Sequence, residues 1–196
     1  KLLTTKGTSV CFSGLDNVAV STTLPEEKRG YITFGTLNNP YKFTPSIIRS
    51  WARILSKVSN SVFLFVRREY SSHFLRMNIV REFCKHGISA NRLYFFNNRE
   101  AKRHYLDTYN EIDITLDTYP VTGGTTTTDA LWMGVPVISL EGHAIHQRVS
   151  SAILKHAEMP ELISHNIDEY VECAIKLAES KSTRKEYKAN LRNRLQ

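Results

Sequence analysis

The 196-residue chain has an apolar fraction of 41% and a charged fraction of 23%, both typical of a globular domain. Its length suffices for one well-packed α/β domain, and no apolar run approaches the roughly 20 residues that a membrane-spanning helix needs. We therefore predict one domain and no membrane partner. Cys11, Cys84 and Cys173 have no metal-ligand spacing and leave one cysteine unpaired in any disulfide scheme, which favours a reducing, cytoplasmic location.

The formal net charge of +7 arises from basic residues spread over several elements and from a second group between Lys181 and Arg194. Nucleic-acid binding is one interpretation, but no recognisable nucleic-acid-binding module accompanies the charge, so we do not expect this partner. Solvated helix faces explain most of the charge. The C-terminal group could equally pack on an acidic surface of another part of the protein, because a chain that begins at Lys1 rather than Met is expected to be a fragment.

Residues 1–29 lack clear periodicity and are predicted to be a connecting segment after an N-terminal domain. From there strands and helices alternate. The predicted strands, all short β-rich runs, are 31–35, 62–66, 93–96, 112–116 and 135–140. The predicted helices are 45–58 with Thr44 as N-cap, 71–85, 99–109, 130–133, 147–155, 160–163 and 167–178. The alternation predicts a doubly wound parallel α/β sheet over 30–180, followed by a basic C-terminal helix or tail at 181–196.

Two finer expectations concern burial. The continuous apolar run at 62–66 is typical of a strand that is buried on both faces of a parallel sheet. Cys84 lies inside the predicted helix 71–85 with apolar neighbours, so we expect an inert core thiol there.

The stretch Thr122-Gly123-Gly124-Thr125-Thr126-Thr127-Thr128-Asp129 lies between a predicted strand and a predicted helix. Two glycines let the backbone turn tightly and approach a ligand, while hydroxyls and free N–H groups at a helix start suit phosphate oxygens. Ligands of open α/β sheets collect at the carboxyl ends of strands, so the stretch predicts a diphosphate-binding loop. A capping box from Thr126 to Asp129, which would only satisfy backbone N–H groups, is the structural alternative.

Loops after three other predicted strands should reach the same crevice. Their candidate ligand-binding side chains include Asn38, Asn39, Lys42, Lys102, His104, Tyr105, Glu141 and Arg148. A lysine is a compact, mobile cation that suits phosphate charge. His143 and His146 invite a metal interpretation, but no third ligand with suitable spacing is evident, so we predict no metal site.

These motifs together resemble the catalytic region of O-linked N-acetylglucosamine transferases, including their bacterial relatives and the SPINDLY proteins. The resemblance covers roughly residues 24–178 and implies the C-terminal half of that region in a bacterial-type member. It is carried by Leu24-Pro25-Glu26-Glu27, Phe34-Gly35-Thr36-Leu37-Asn38-Asn39, Lys42, Trp51-Ala52-Arg53-Ile54-Leu55, Ile112-Asp113-Ile114-Thr115-Leu116-Asp117-Thr118, Gly123-Gly124-Thr125-Thr126-Thr127 and Asp129-Ala130-Leu131-Trp132-Met133-Gly134-Val135-Pro136-Val137.

The resemblance implies the Rossmann-like C-terminal domain of a GT-B glycosyltransferase, which holds the nucleotide-sugar donor. It implies inverting transfer of a sugar to protein hydroxyls without a metal or cofactor, in an enzyme whose tetratricopeptide repeats present acceptor proteins. The general base would lie in the preceding catalytic domain, to which residues 1–29 would connect. The fragment alone is expected to be inactive.

Individual roles follow from the same resemblance. Lys42 should contact the diphosphate and help the leaving group depart, which is a catalytic role. The implied nucleotide-sugar contacts are Asn39, Lys102, Tyr105, Gly123, Gly124, Thr125, Thr126, Thr127 and Asp129. The animal enzyme has a histidine where this chain has Gly124, and many members have a base-stacking histidine where it has Tyr105. UDP-N-acetylglucosamine is the expected donor; GDP-fucose, which SPINDLY proteins use, and a non-catalytic basic interaction domain are the alternatives.

Overall fold

The structure is a computed structural model, and it describes residues 18–97 and 105–195. Six parallel strands form one sheet in the order β3-β2-β1-β4-β5-β6. The strands are β1 (Ile32–Thr36), β2 (Ser61–Val66), β3 (Leu93–Phe96), β4 (Ile114–Leu116), β5 (Val137–Leu140) and β6 (Ile163–Ser164). The order reverses between β1 and β4, which is the arrangement of a doubly wound Rossmann-like sheet and confirms the predicted fold class.

Seven α-helices accompany the described strands. They are α1 (Pro25–Arg29), α2 (Pro45–Lys57), α3 (His73–Cys84), α4 (Thr125–Trp132), α5 (Val149–His156), α6 (Ile167–Glu179) and α7 (Lys181–Leu195). Helix α2 packs on α3 and α6, whereas α4 packs on α5 and α7. No helix in the described ranges is both long and apolar enough to cross a bilayer.

Helix α2 forms as its sequence predicts. Thr44 is the N-cap, and its hydroxyl accepts a hydrogen bond from the Ile47 backbone N–H at 3.2 Å. Pro45 occupies the first helical position, where its missing N–H costs no hydrogen bond. The apolar face is fully buried, and its largest side chain, Trp51, lies between Phe43 and Phe63 with ring centroids 5.0 Å from each.

Several short elements differ from the prediction. Residues 99–104 of the helix predicted at 99–109 lie outside the described residues, and the described remainder belongs to a 3₁₀ helix, Tyr105–Glu111. The helix predicted at 160–163 is a 3₁₀ turn, Pro160–Leu162, followed by β6, a strand that the prediction missed. Helix α1 was also missed. Elements of two to seven residues are too short to show a hydrophobic period.

Strand β2 is less buried than predicted. Val62 and Leu64 are half-buried and line a cavity of about 330 Å³ with Tyr94 and Phe96. The 3₁₀ helix Tyr105–Glu111 contributes Thr108 and Glu111 to this cavity. The expectation of burial on both faces was therefore wrong for this strand.

Cys84 is exposed, so the expected core thiol was also wrong. It is the last residue of α3, and its neighbour Phe83 is fully buried. Successive helical residues point about 100° apart, so burial of Phe83 turns Cys84 toward solvent.

The basic helix α7 holds two buried cations. The Arg184 guanidinium donates to the Leu177 and Ala178 carbonyls and forms an ion pair with Glu26. Lys188 Nζ donates to the Met133 carbonyl at 3.0 Å, and burial lowers the pKa of this ammonium to about 8. For these two residues the expectation of solvated helix faces was wrong, because their charges fasten α7 to α6, to α1 and to the end of α4.

Candidate functional site

The candidate site lies at the carboxyl ends of β1 and β4, where the strand order reverses and open α/β sheets bind ligands. The loop after β1 supplies Asn38 and a 3₁₀ turn, Pro40–Lys42. The loop after β4 supplies Asp117 and leads through Gly123 into α4. Residues about 80 positions apart in the chain therefore meet at this edge of the sheet.

Asn38 joins the two loops. Its side-chain Oδ1 accepts hydrogen bonds from Lys42 Nζ at 3.0 Å and from Thr126 Oγ1 at 3.1 Å. Its Nδ2 donates to Asp117 Oδ1 at 3.1 Å. Asn38 is 2% exposed and its bond to Asp117 is buried, so the amide is held in one orientation toward its three partners.

The Lys42 ammonium is held at the mouth of the site. Besides Asn38, it donates to the Thr122 carbonyl at 2.9 Å. Burial lowers the pKa of Lys42, and the charge of Asp117 opposes that shift. An ammonium has three N–H bonds, and the hydrogen bonds that the described residues form with Lys42 use two of them. One N–H therefore remains for a ligand.

The Asp117 carboxylate holds the backbone of the loop that leads through Gly123 into α4. Its Oδ1 also accepts from the backbone N–H groups of Thr118 and Gly123, each at 2.8 Å, and its Oδ2 accepts from Ser139 Oγ at 2.8 Å. Burial raises the pKa of Asp117, and these hydrogen bonds oppose the rise. A carboxylate with this many donors is an anchor for the loop backbone.

Helix α4 begins earlier than predicted. Gly124 is the N-cap, and Thr125 and Thr126 already lie in the first turn, so the capping box from Thr126 to Asp129 does not form. The N–H groups of a first turn have no intrahelical acceptor, and a glycine N-cap has no side chain to satisfy them. The N–H groups of Thr125 and Thr126 and the positive end of the helix dipole are therefore directed at the crevice.

Gly123 has no room for a side chain. A Cβ built there would lie 2.8 Å from Thr126 Oγ1 and 3.1 Å from Asp117 Oδ1, and it would also overlap Thr127 Oγ1. We expect Gly123→Ala to destabilise the fold by about 1–3 kcal/mol, because the threonine hydroxyls and the Asp117 carboxylate must move apart. Urea unfolding measures this change, and an unaltered free energy of unfolding would contradict the geometry.

A cavity of about 310 Å³ adjoins the first turn of α4. It is lined by Leu37, Val66, Arg67, Arg68, Tyr105, Tyr109, Thr125, Thr126 and Asp129. The Tyr105 hydroxyl donates to Asp129 Oδ2 at 3.1 Å, and the Tyr109 hydroxyl donates to the Thr126 carbonyl at 3.0 Å. Burial and the neighbouring Asp129 charge raise the pKa of Tyr105 to about 12, so this phenol is neutral at physiological pH. The cavity combines two aromatic rings, a carboxylate and two guanidinium groups.

The structure brings most of the predicted site residues together. Lys42 and Thr126 meet on Asn38, while Tyr105, Thr125 and Asp129 line the adjoining cavity. Lys102 lies outside the described residues.

Two of the predicted residues make structural contacts instead of lining the cavity. The Thr127 hydroxyl is 2.7 Å from Ser150 Oγ on α5. The Asn39 side chain caps the 3₁₀ turn by accepting from the Tyr41 N–H at 3.0 Å.

The sequence analysis included Asn38 only as a candidate ligand-binding side chain and assigned no role to Asp117, Arg67 or Tyr109. Asp117 and Arg67 directly follow strands β4 and β2, so position at the carboxyl end of a strand was the available signal. Tyr109 had no such signal. Within the described ranges, no three His, Cys, Asp or Glu side chains are grouped as metal ligands.

The sequence was compared with known families. Residues 17–196 match the family described as Glycosyl transferase family 41. The chain belongs to this family. The predicted resemblance to O-linked N-acetylglucosamine transferases and SPINDLY proteins is thereby confirmed at the level of the family.

A relative from Solanum lycopersicum, named "Probable UDP-N-acetylglucosamine--peptide N-acetylglucosaminyltransferase SPINDLY", is 32% identical over 168 residues. The aligned region is 86% of this chain and 18% of that protein. This family member therefore matches less than a fifth of its curated relative's length.

Two solved structures have the same fold. A mutant of the Thermobaculum terrenum O-GlcNAc transferase superposes with a TM-score of 0.80 and 31% identity, covering 85% of this chain and 32% of that one. A Staphylococcus aureus TarM mutant in complex with fondaparinux, alpha-GlcNAc-glycerol and UDP has a TM-score of 0.64 at 10% identity, covering 93% of this chain and 34% of that one. The Rossmann-like sheet matches domains of GT-B glycosyltransferases, as predicted.

Proposed function

We propose that this chain is the donor-binding domain of a protein O-glycosyltransferase that transfers N-acetylglucosamine from UDP-N-acetylglucosamine to protein hydroxyls. The observation that carries the proposal is the Lys42 ammonium, which Asn38 holds beside the first turn of α4. The name of the Thermobaculum O-GlcNAc transferase, which is 31% identical to this chain, supports this sugar. The proposed transfer is inverting and needs no metal ion.

The diphosphate is proposed to bind between Lys42 and the N-terminus of α4. The free N–H groups of Thr125 and Thr126 would donate to phosphate oxygens, as helix N-termini do for many anions. The third N–H of Lys42 would donate to the phosphate that leaves with the nucleoside. Negative charge grows on that phosphate in the transition state, so a fixed cation there lowers the barrier.

The nucleoside is proposed to occupy the cavity beside α4. Asp129 would accept hydrogen bonds from ribose hydroxyls, and the Tyr105 ring would stack on the base. Gly123 and Gly124 would allow the loop backbone to approach the ligand. From the resemblance alone, Lys102 would lie near the ribose, and Asn39 would lie near the phosphates.

The remaining parts of the enzyme are proposed to lie on other domains. The chain spans 18% of the tomato relative, which leaves room for a first catalytic domain and for tetratricopeptide repeats. The general base and the acceptor site would belong to that first domain, reached through residues 1–29, so this chain is the C-terminal half of the catalytic region of a bacterial-type enzyme. The cytoplasmic location stays a prediction.

The proposal has two alternatives, another nucleotide-sugar donor and a non-catalytic role. Tyr105 and Gly124 replace residues that uridine-specific relatives are expected to have, which keeps GDP-fucose open as the donor. A non-catalytic domain with a basic binding surface is less favoured, because Arg184 and Lys188 are buried in intramolecular contacts.

Calorimetric titration of the chain with UDP, GDP, UDP-N-acetylglucosamine and GDP-fucose, without metal, tests the proposal. We expect the two uridine nucleotides to bind more tightly than the two guanosine nucleotides. Tighter binding of the guanosine pair would replace the donor by GDP-fucose. Equal, non-saturable heats for all four, also in the complete polypeptide that contains this chain, would contradict the donor-binding role.

A further inference from the structure

We infer that Asn38 is a positioning residue that holds the Lys42 ammonium and the Thr126 side chain in the relative positions that the diphosphate requires. This inference rests on the proposed function. One oxygen, Asn38 Oδ1, accepts from both Lys42 Nζ and Thr126 Oγ1. The loop after β1 and the first turn of α4 are therefore tied at a single atom. A shift of the Asn38 carboxamide would move the cation and the helix start relative to one another.

The orientation of the Asn38 carboxamide is determined by Asp117. A carboxylate accepts hydrogen bonds only, so the amide nitrogen must face Asp117 Oδ1 and the amide oxygen must face Lys42. Asp117 in turn is immobilised by the Thr118 and Gly123 N–H groups and by Ser139. The order Asp117, Asn38, Lys42 is thus a directional chain of hydrogen bonds that begins at a buried anchor.

A neutral acceptor has a specific advantage at this position. A carboxylate in contact with Lys42 would hold the ammonium equally well but would neutralise the charge that the phosphate needs. The Asn38 amide holds Lys42 without doing so, while Asp117 polarises the amide from its far side. The cation is therefore fixed in place with its charge available.

The side-chain hydroxyl and the backbone N–H of Thr126 have different roles in this arrangement. Its hydroxyl proton is donated to Asn38, so this hydroxyl anchors the helix start. The backbone N–H of Thr126 is then the group that is left to donate to a phosphate oxygen.

The first test replaces Asn38 with alanine in the complete polypeptide that contains this chain. We expect kcat to fall by about 10²-fold, because a misplaced Lys42 no longer meets the charge of the transition state. The KM for the donor should change by less than about threefold, since Thr125 and Thr126 still offer their N–H groups. Asn60→Ala is the matched control: its side chain donates to the Gly30 carbonyl at the opposite edge of the sheet. A kcat within twofold of the wild type would overturn the inference.

Asn38→Asp tests the inference if the alanine variant fails to fold. Among the residues that the structure describes, the charged groups near this position are Lys42, Asp117 and Arg67. At low pH the introduced carboxyl shares a proton with Asp117 and reproduces the donor and acceptor of the amide. As the pH rises, that proton is lost, the two carboxylates repel, and the new charge neutralises Lys42.

The ratio of kcat between Asn38→Asp and the wild type should therefore fall by about tenfold or more between about pH 5.5 and pH 8.5. A ratio that does not change with pH would overturn the inference. Failure of the proposed function itself has a different signature, because the wild type would then neither bind a nucleotide diphosphate nor transfer a sugar.

Discussion

Replacing Lys42 with alanine should lower sugar transfer by the complete polypeptide by about 10²- to 10³-fold. The ammonium lies between Asn38 Oδ1 and the Thr122 carbonyl, at hydrogen-bond distances of 3.0 and 2.9 Å, so its position in the site is fixed. The loss should appear chiefly in kcat, because charge on the leaving phosphate develops in the transition state. Steady-state kinetics with a peptide acceptor measures it.

Lys57→Ala is the matched control for this variant. Lys57 is exposed at the end of α2, so the same loss of charge should leave both the rate and the stability unchanged. The Lys42 variant should still fold, since its side chain is only half-buried. A folded Lys42→Ala protein that transfers sugar at the wild-type rate would refute the catalytic role of this lysine.

Trp51→Ala should give the largest loss of stability, about 3–5 kcal/mol in the free energy of unfolding. The Trp51 ring is fully buried against Phe43 and Phe63, and its Nε1 donates to the Tyr170 hydroxyl at 3.0 Å. That hydroxyl in turn donates to the Asp117 carbonyl at 2.9 Å. Removing the indole thus leaves a cavity between α2 and α6 and loosens the support of Asp117.

Phe74→Ala is the control for the loss of an aromatic side chain. Phe74 is 81% exposed, so its removal should change stability by no more than about 0.5 kcal/mol. Urea denaturation of both variants measures the difference. Equal stabilities would mean that the packing around Trp51 is not the core of this domain.

Most of the fold could be predicted from local sequence signals. Strands β1, β2 and β3 are short apolar runs, and α2 begins at a Thr-Pro pair that specifies its N-terminus. Elements with weak local signals were missed. Strand β6 has two residues and exists because it pairs with Ser139 and Leu140 of β5, which is a tertiary cause.

Several residues of the candidate site could be predicted from the sequence, but the hydrogen bonds between them could not. Lys42, Thr126 and Asp129 follow from the rule that ligands bind at the carboxyl ends of parallel strands. The bond between Asn38 and Asp117 joins residues 79 positions apart, and no local pattern specifies it. The burial of Arg184 could not be predicted for the same reason, since its partner Glu26 lies 158 positions away.

Amide NMR spectra of the isotope-labelled chain during titration with UDP test the central claim most directly. We predict saturable shifts at Gly124, Thr125 and Thr126, because their N–H groups start the helix that should receive the diphosphate. Chemical-shift changes only in residues that line the groove of about 800 Å³ between α2 and α6, with no change at the α4 amides, would contradict the proposed donor site.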